Sequence, residues 1–183
     1  MDKKGIRNLG KLLRKNAKTE GFCDKAYFHI SKIPGYEKAR FIMIYLSLPE
    51  EAPTEDIVGK LLADGKRVCV PVTEGRNMTP AEIDRNTVYK KGAFGVLEPE
   101  TTESVDKTDI DIVIAPGLLF DRQGSRCGYG KGCYDLFLSD SRAVKTGLCF
   151  DNQLVNVFPT EEHDVKMDYI VTEKGLIACE KKK

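Results

Sequence analysis

Between residues 121 and 135 the chain reads Asp121-Arg122-Gln123-Gly124-Ser125-Arg126-Cys127-Gly128-Tyr129-Gly130-Lys131-Gly132-Cys133-Tyr134-Asp135. Gly128, Gly130 and Gly132 stand on alternate positions, so the backbone there can take φ > 0 and bring its N–H groups against phosphate oxygens. Lys131 and Arg126 add cationic donors to the same stretch, and Asp135 stands where the next helix starts. The combination favours a nucleotide phosphate over a purely structural turn, which G-x-G-x-G alone would equally fit. Lys131 is followed by Gly132 where a Walker A loop needs Ser or Thr for magnesium, and the G-x-G-x-x-G spacing of a dinucleotide fingerprint is absent.

The other chemistry-bearing residues are more scattered. On a helical wheel, residues 2 to 18 separate Ile6, Leu9, Leu12, Leu13 and Ala17 from a basic side of Lys3, Arg7, Lys11, Arg14 and Lys18. That side is either a solvated face or a cationic arm over an anionic ligand. His163 beside Asp164 suggests an acid–base pair, although neighbours on an extended segment point apart. Cys133, close to a cationic loop, is either an activated thiolate or a small buried hydrophobe. Tyr129 and Tyr134 either face a ligand or pack their rings at the helix start. Lys166, between Asp164 and Asp168, reads as an ion-pair partner. Six cysteines without a C-x-x-C pair and only two histidines fit reduced thiols better than a zinc site.

These residues need a scaffold, and the apolar pattern supplies one. Phe41 to Leu46, Val68 to Val72 and Ile110 to Ala115 are continuous apolar runs, the mark of strands buried on both faces as in parallel sheets. Further strands are expected at Val144 to Phe150 and Tyr169 to Thr172. Helices are expected over residues 2 to 18, from Thr19 to Lys32 before Pro34-Gly35, after an N-cap at Thr54 up to Gly65, and near Tyr134 to Ser139. Glu74-Gly75-Arg76-Asn77 reads as a polar connection, Gly92-Ala93-Phe94-Gly95 as a turn, and Lys181 to Lys183 as a frayed tail. Strands alternating with helices argue for right-handed βαβ units and an α/β sandwich. The glycine loop, after one strand and before a helix, would then lie at the sheet's carboxyl edge, where such folds bind ligands.

The chain has 183 residues with 29 Lys+Arg against 28 Asp+Glu and a pI near 7.5, a balance that excludes a disordered or polyanion-coating chain. No apolar run approaches the ~20 residues that span a bilayer, and the N-terminus shows no signal-peptide core. A cytoplasmic protein is expected, without nucleic-acid or membrane partners.

Taken together, the glycine loop closely resembles the signature of the 5-formyltetrahydrofolate cyclo-ligases, or methenyltetrahydrofolate synthetases. Matching pieces follow in order along nearly the whole chain: Lys3-x-x-x-Arg7, Tyr45-Leu46-Ser47, Gly95-Val96-Leu97-Glu98-Pro99, Ala115-Pro116-Gly117, Arg126 to Asp135, and His163 to Asp168. The resemblance implies a single three-layer αβα domain over residues 1–183, Rossmann-like with a mostly parallel sheet, and a monomer. It implies an ATP- and Mg²⁺-dependent closure of 5-formyltetrahydrofolate to 5,10-methenyltetrahydrofolate, with ADP and phosphate released. Carried over by position, Lys3, Arg7, Arg126, Gly128, Gly130, Lys131, Gly132 and Tyr134 would bind ATP, with Lys131 and Arg126 acting in catalysis. Leu48, Tyr129, Gly130, Lys131, Gly132 and Cys133 would face the folate, and Asp135 and Asp164 would hold Mg²⁺. Two positions depart from the family's pattern. Cys133 stands where a Tyr is common, and Pro53 where an acidic residue usually precedes the helix, so Glu50 or Glu51 would have to supply that carboxylate. A non-catalytic nucleotide or folate sensor, and an RNA-associated protein using the basic helix, are the rival readings.

Overall fold

The computed structural model describes residues 2–92, 95–100, 103–161 and 164–180. Ala93-Phe94 of the glycine turn, His163 and the Lys181 to Lys183 tail lie outside the described residues. Helix α1 (Lys3–Lys15) starts at Asp2, whose carboxylate accepts the Gly5 N–H at 2.8 Å, and ends with Arg14 and Lys15 in its last turn, where cations complement the helix dipole. Its buried residues are Ile6, Gly10 and Arg14, a stripe of every fourth residue. This corrects the helical-wheel expectation, because Arg14 belongs to the inward stripe and not to a solvated basic face.

Helix α2 (Phe22–Ile30) is shorter than the expected Thr19 to Lys32, since Gly21 at φ 65° breaks the chain's path just before it. Strand β1 (Phe41–Ile44) is buried throughout. Helix α3 (Glu55–Ala63) follows, with Thr54 at its N-cap position but without a side-chain cap bond. The Thr54 hydroxyl instead donates to the Tyr45 carbonyl at 2.7 Å and accepts the Ser47 N–H at 3.1 Å, which pins the loop after β1. Gly65 at φ 75° lets the chain turn back into β2 (Arg67–Glu74).

The stretch read as a polar connection is a hairpin turn. Gly75 at φ 65° and Arg76 link β2 to β3 (Asn77–Ile83), paired antiparallel from Val68↔Ile83 to Glu74↔Asn77. Pro71 is tolerated in β2 because the strand's pairing with β1 covers only Arg67 to Cys69. A second hairpin joins β4 (Tyr89–Lys91) to β5 (Leu97–Pro99). After β6 (Ile112–Ala115) the chain forms β7 (Leu119–Asp121) and β8 (Arg126–Cys127), then α4 (Cys133–Leu138), β9 (Val144–Leu148), β10 (Leu154–Val155), β11 (Tyr169–Thr172) and β12 (Gly175–Ala178).

The main sheet has the order β12-β11-β9-β6-β1-β2-β3, in which the five inner strands are parallel and the two edges antiparallel. Alternation along β1 fills both faces. Ile42 and Ile44 pack with Phe22, Ala26 and Ile30 of α2 and Ile57 and Leu61 of α3. Phe41 and Met43 pack on the other side with Phe120, Phe137 and Leu138. The result is the expected layered α/β arrangement with a mostly parallel sheet, one outer layer being α2 and α3. The other face is covered by the short α4 and a small sheet of order β10-β7-β8.

β1 sits between β2 and β6, so the chain leaves β1 in one direction and later returns to its other side. That reversal opens a crevice at the strands' carboxyl ends, the usual ligand position in open α/β sheets.

Candidate active site

A cavity of about 910 Å³ occupies that crevice, walled by Leu46 beyond β1, Thr73 of β2 and Pro116 beyond β6. Every residue that the resemblance assigned to ATP, folate or Mg²⁺ borders it: Lys3 and Arg7 from α1, Leu48 from the loop after β1, Arg126 and Gly128 to Asp135, and Asp164. Val96 and Glu98 of the β4–β5 hairpin also reach the wall.

The glycine loop leaves β8 and enters α4, with Gly130 at φ 100° and Gly132 at φ 71°. Gly128 is not in the left-handed region, contrary to expectation, and its missing side chain has a steric cause. A Cβ on Gly128 would lie 2.8 Å from Arg126 Nη1. A Cβ on Gly130 would lie 3.0 Å from Arg7 Nη2, and one on Gly132 would lie 3.1 Å from Arg76 Nη2. Guanidinium groups from β8, α1 and the β2–β3 turn therefore rest on three successive loop glycines, forming a cationic cradle suited to phosphate.

Arg126 is buried and anchors this cradle. Its Nη2 donates to Asp135 Oδ2 at 3.1 Å, its Nη1 to the Pro116 carbonyl at 3.4 Å, and its guanidinium lies 5.3 Å from the Tyr134 ring centroid. Among the described residues, the buried Arg126 Nε, Arg7 Nε and Tyr134 hydroxyl have no hydrogen-bond partner. Buried polar atoms are normally satisfied, so these unpaired donors beside a cavity are suited to a polar ligand. Burial pushes the Tyr134 phenol well above its ordinary pKa, keeping the hydroxyl protonated as a donor.

Asp135 and Asp164 approach the same wall. Asp135 accepts from Arg126 and, through Oδ1, from the Val165 N–H at 3.3 Å. Asp164 Oδ2 accepts from the Glu161 N–H at 2.7 Å, while Lys3 Nζ lies 3.8 Å from Asp164 Oδ1 and 2.7 Å from Glu161 Oε2. No cluster of three metal-ligating side chains occurs among the described residues. Two carboxylates beside a phosphate cradle nevertheless fit Mg²⁺, a hard cation that keeps several waters and completes its shell with nucleotide oxygens.

The opposite end of the cavity is built around Glu51. Of Glu50, Glu51 and Pro53, Glu51 alone borders the cavity, and it is buried. Its Oε2 accepts the Leu48 N–H at 2.9 Å, and its Oε1 accepts the Tyr129 hydroxyl. Burial, then the Glu51 charge, push the Tyr129 phenol upward, so it remains a neutral donor. Arg14 Nη1 donates to the Tyr129 hydroxyl and lies 3.8 Å from Glu51 Oε1, while its Nη2 reaches Glu50 at 3.3 Å. The loop carrying Glu51 is further fixed by the Tyr45 hydroxyl, which donates to the Ala52 carbonyl at 2.8 Å. Cys133 is half-buried, its thiol 3.8 Å from the Gly75 carbonyl.

The fold and this two-ended cavity can be set against known proteins. A profile of the 5-formyltetrahydrofolate cyclo-ligase family matches residues 2–173. The chain belongs to that family. A Caenorhabditis elegans protein named "Probable 5-formyltetrahydrofolate cyclo-ligase" is 28% identical over 181 residues, covering 90% of this chain and 87% of its own. The 5-formyltetrahydrofolate cyclo-ligase of Escherichia coli strain K12 is 29% identical over 147 residues, 76% of this chain and 81% of its own. The NMR structure of Aquifex aeolicus 5,10-methenyltetrahydrofolate synthetase superposes with a TM-score of 0.86 at 26% identity, over 100% of this chain and 95% of that one. The cyclo-ligase family is one of folate one-carbon ligases, so the chain is an enzyme.

Sequence reasoning passed over Arg76 and gave no role in the site to Arg14. Arg76 carries no local signal, being one polar residue in a connection. For Arg14, the regular spacing from Ile6 and Gly10 was a usable clue, masked by its basic neighbours.

Proposed function

We propose that the enzyme closes 5-formyltetrahydrofolate to 5,10-methenyltetrahydrofolate while converting ATP to ADP and phosphate. The observation that carries this reading is one cavity with an arginine-clasped glycine loop at one end and a buried, hydrogen-bonded carboxylate, Glu51, at the other. Such a space can hold a triphosphate against a folate whose amino and ring N–H groups need an acceptor.

In the reaction the formyl oxygen attacks the γ-phosphoryl group, releasing ADP and giving an imidate phosphate. N10 then attacks the activated carbon, the ring closes, and phosphate leaves with the former formyl oxygen and carries away the proton that N10 loses. An amide oxygen is a poor leaving group as hydroxide and a good one as phosphate, so no side-chain nucleophile is required. The protein's work is alignment and charge neutralisation. Arg126 and Lys131 oppose the charge on the transferred phosphoryl. Arg7 and Lys3 hold the triphosphate, Gly128, Gly130 and Gly132 let it approach the backbone, and Tyr134 donates a hydroxyl. Leu48, Tyr129 and Cys133 line the folate side, with Glu51 in place of a carboxylate at Pro53. Asp135 and Asp164 would hold Mg²⁺, which when bound supplies charge neutralisation at the phosphate oxygens.

The same reading has the enzyme working in the cytoplasm as a monomer, without nucleic acid or membrane. The net charge of +1 gives no general attraction to polyanions, and among the described residues no helix is long and apolar enough to cross a membrane.

The test mixes purified protein, MgATP and 5-formyltetrahydrofolate and follows the absorbance of the conjugated methenyl product together with phosphate release. Both signals should require both substrates; binding without either signal would favour the sensor reading. Asp135→Asn and Asp164→Asn should each weaken Mg²⁺-dependent turnover, and unchanged metal dependence in both would make these aspartates structural.

A further inference from the structure

Arg14 is an unusual occupant of its position. It completes the buried stripe of α1 after Ile6 and Gly10, at 6% exposure, where an apolar side chain would need no charge compensation. A buried ion pair is weak as a source of stability, because desolvation offsets most of the Coulombic gain, and its Nε stays unpartnered among the described residues. Of the guanidinium's other atoms, Nη1 meets two residues of the cavity wall and Nη2 an exposed carboxylate outside it. Nη1 reaches both the Tyr129 hydroxyl and Glu51 Oε1, Nη2 reaches Glu50, and the group lies 5.5 Å from the Tyr129 ring centroid. Tyr129 belongs to the glycine loop, Glu51 to the loop after β1, and Arg14 to the helix that also carries Lys3 and Arg7.

We propose that Arg14 is a positioning residue for the folate end, holding the Glu51 carboxylate and the Tyr129 ring in the geometry that receives the substrate. This rests on the reading of Glu51 as the folate-facing acceptor. Glu51 must present its carboxylate to substrate N–H groups in one fixed orientation, and the guanidinium behind it, 3.8 Å from Oε1 and donating to the Tyr129 hydroxyl, holds that orientation. Because the hydrogen bond and ring contact that tie Arg14 to the glycine loop both go to the Tyr129 side chain, nucleotide binding should depend on it little.

The experiment titrates 5-formyltetrahydrofolate and, separately, a non-hydrolysable ATP analogue into the full-length protein by calorimetry, alongside turnover and thermal unfolding. Arg14→Met should weaken folate binding by about 10- to 100-fold, the range expected for a charge-assisted contact, and nucleotide binding by no more than about two-fold. Arg14→Lys, which keeps the charge but not the fork, should recover part of the loss. In an Arg14→Met, Glu51→Gln double variant the losses should not multiply, the folate affinity matching Glu51→Gln to within about two-fold. If Arg14→Met does not unfold cooperatively, Arg14→Lys with Glu51→Gln completes the same cycle. Equal losses of folate and nucleotide affinity, an unchanged folate affinity, or multiplying losses would each overturn the role. A parent protein that binds and turns over folate while the variants match it sinks Arg14 alone. A parent that binds no 5-formyltetrahydrofolate overturns the proposed function and the Arg14 role together.

Discussion

Three glycines at alternate positions serve two different physical needs. Gly130 and Gly132 occupy backbone conformations that side chains rarely adopt, whereas a side chain at Gly128 would displace the Arg126 guanidinium lying against it. The loop's cationic side chains also differ in burial. Arg126 is buried beneath the loop, while Lys131 and Arg76 are exposed at the cavity's border. Lys131→Ala should therefore leave thermal unfolding unchanged and lower kcat/KM for ATP by roughly 10- to 150-fold, the loss of one charge-assisted donor. Unchanged steady-state kinetics would remove Lys131 from the phosphate cradle. Arg76→Ala, at the tip of a turn, should cost nothing in stability and raise the KM for ATP roughly 5- to 20-fold, its guanidinium lying over Gly132 where the loop enters α4. An effect confined to the KM for folate would assign Arg76 to the substrate's anionic tail instead.

At the scale of elements, α1 is the part that serves both ends of the cavity. Arg7 lies against Gly130 and Arg14 against Tyr129, and between them Gly10 lets the helix approach the chain at Leu118. A Cβ on Gly10 would lie 2.5 Å from the Leu118 carbonyl oxygen, which is backbone and cannot swing aside. Gly10→Ala offers a gain of about 1 kcal/mol in helix propensity, yet the clash should reverse the sign and leave a net loss of about 1 to 3 kcal/mol. Thermal unfolding measures the first consequence. Weaker binding of nucleotide and folate together measures the second, since both arginines would move with the helix. A raised melting temperature would show that α1 can shift without cost and that its seat on Leu118 is not tight.

The whole molecule also has a polar tie outside the cavity lining, joining α2, the connection that follows it and the turn after α3. Asp64, after α3, accepts the hydroxyls of Tyr27 and Tyr36, the latter at 2.7 Å, and Lys66 donates to the carbonyls of Tyr36 at 2.8 Å and Ala39 at 2.7 Å. Hydrogen bonds from Tyr27 and then Tyr36 hold the Asp64 carboxyl below its ordinary value of 3.8. A depressed folded pKa means that the unfolded chain binds the proton more readily, so this stabilisation is complete above the ordinary value. It is lost as pH falls through the lower folded value. Asp64→Asn should accordingly flatten the acid side of a stability-against-pH curve measured by denaturant unfolding from neutral pH downward, while leaving folate and nucleotide binding unaltered. A parallel acid limb in parent and variant would show that the tyrosine contacts do not perturb this carboxyl.

The sequence by itself determined the parts whose character is written into one contiguous segment. β1, β2 and β6 were legible because a strand buried on both faces is apolar at nearly every position, and the glycine loop because alternate glycines and cationic residues stand together in one short stretch. The two antiparallel edges, β3 and β12, were not legible. β3 carries Asn77, Thr79 and Glu82 and is interrupted by Pro80, while β12 is only four residues long and follows Lys174 in what reads as a turn. The tertiary structure alone decided which carboxylate faces the cavity, since Glu50 and Glu51 are adjacent and identical in type but project differently once Tyr45 and Thr54 fix their loop. It also decided that Arg14 turns inward and that Arg76 arrives over Gly132 from a separate hairpin. Periodicity records what a segment buries against its own neighbours, whereas Arg14 meets partners 36 and 115 positions away, which no local pattern encodes.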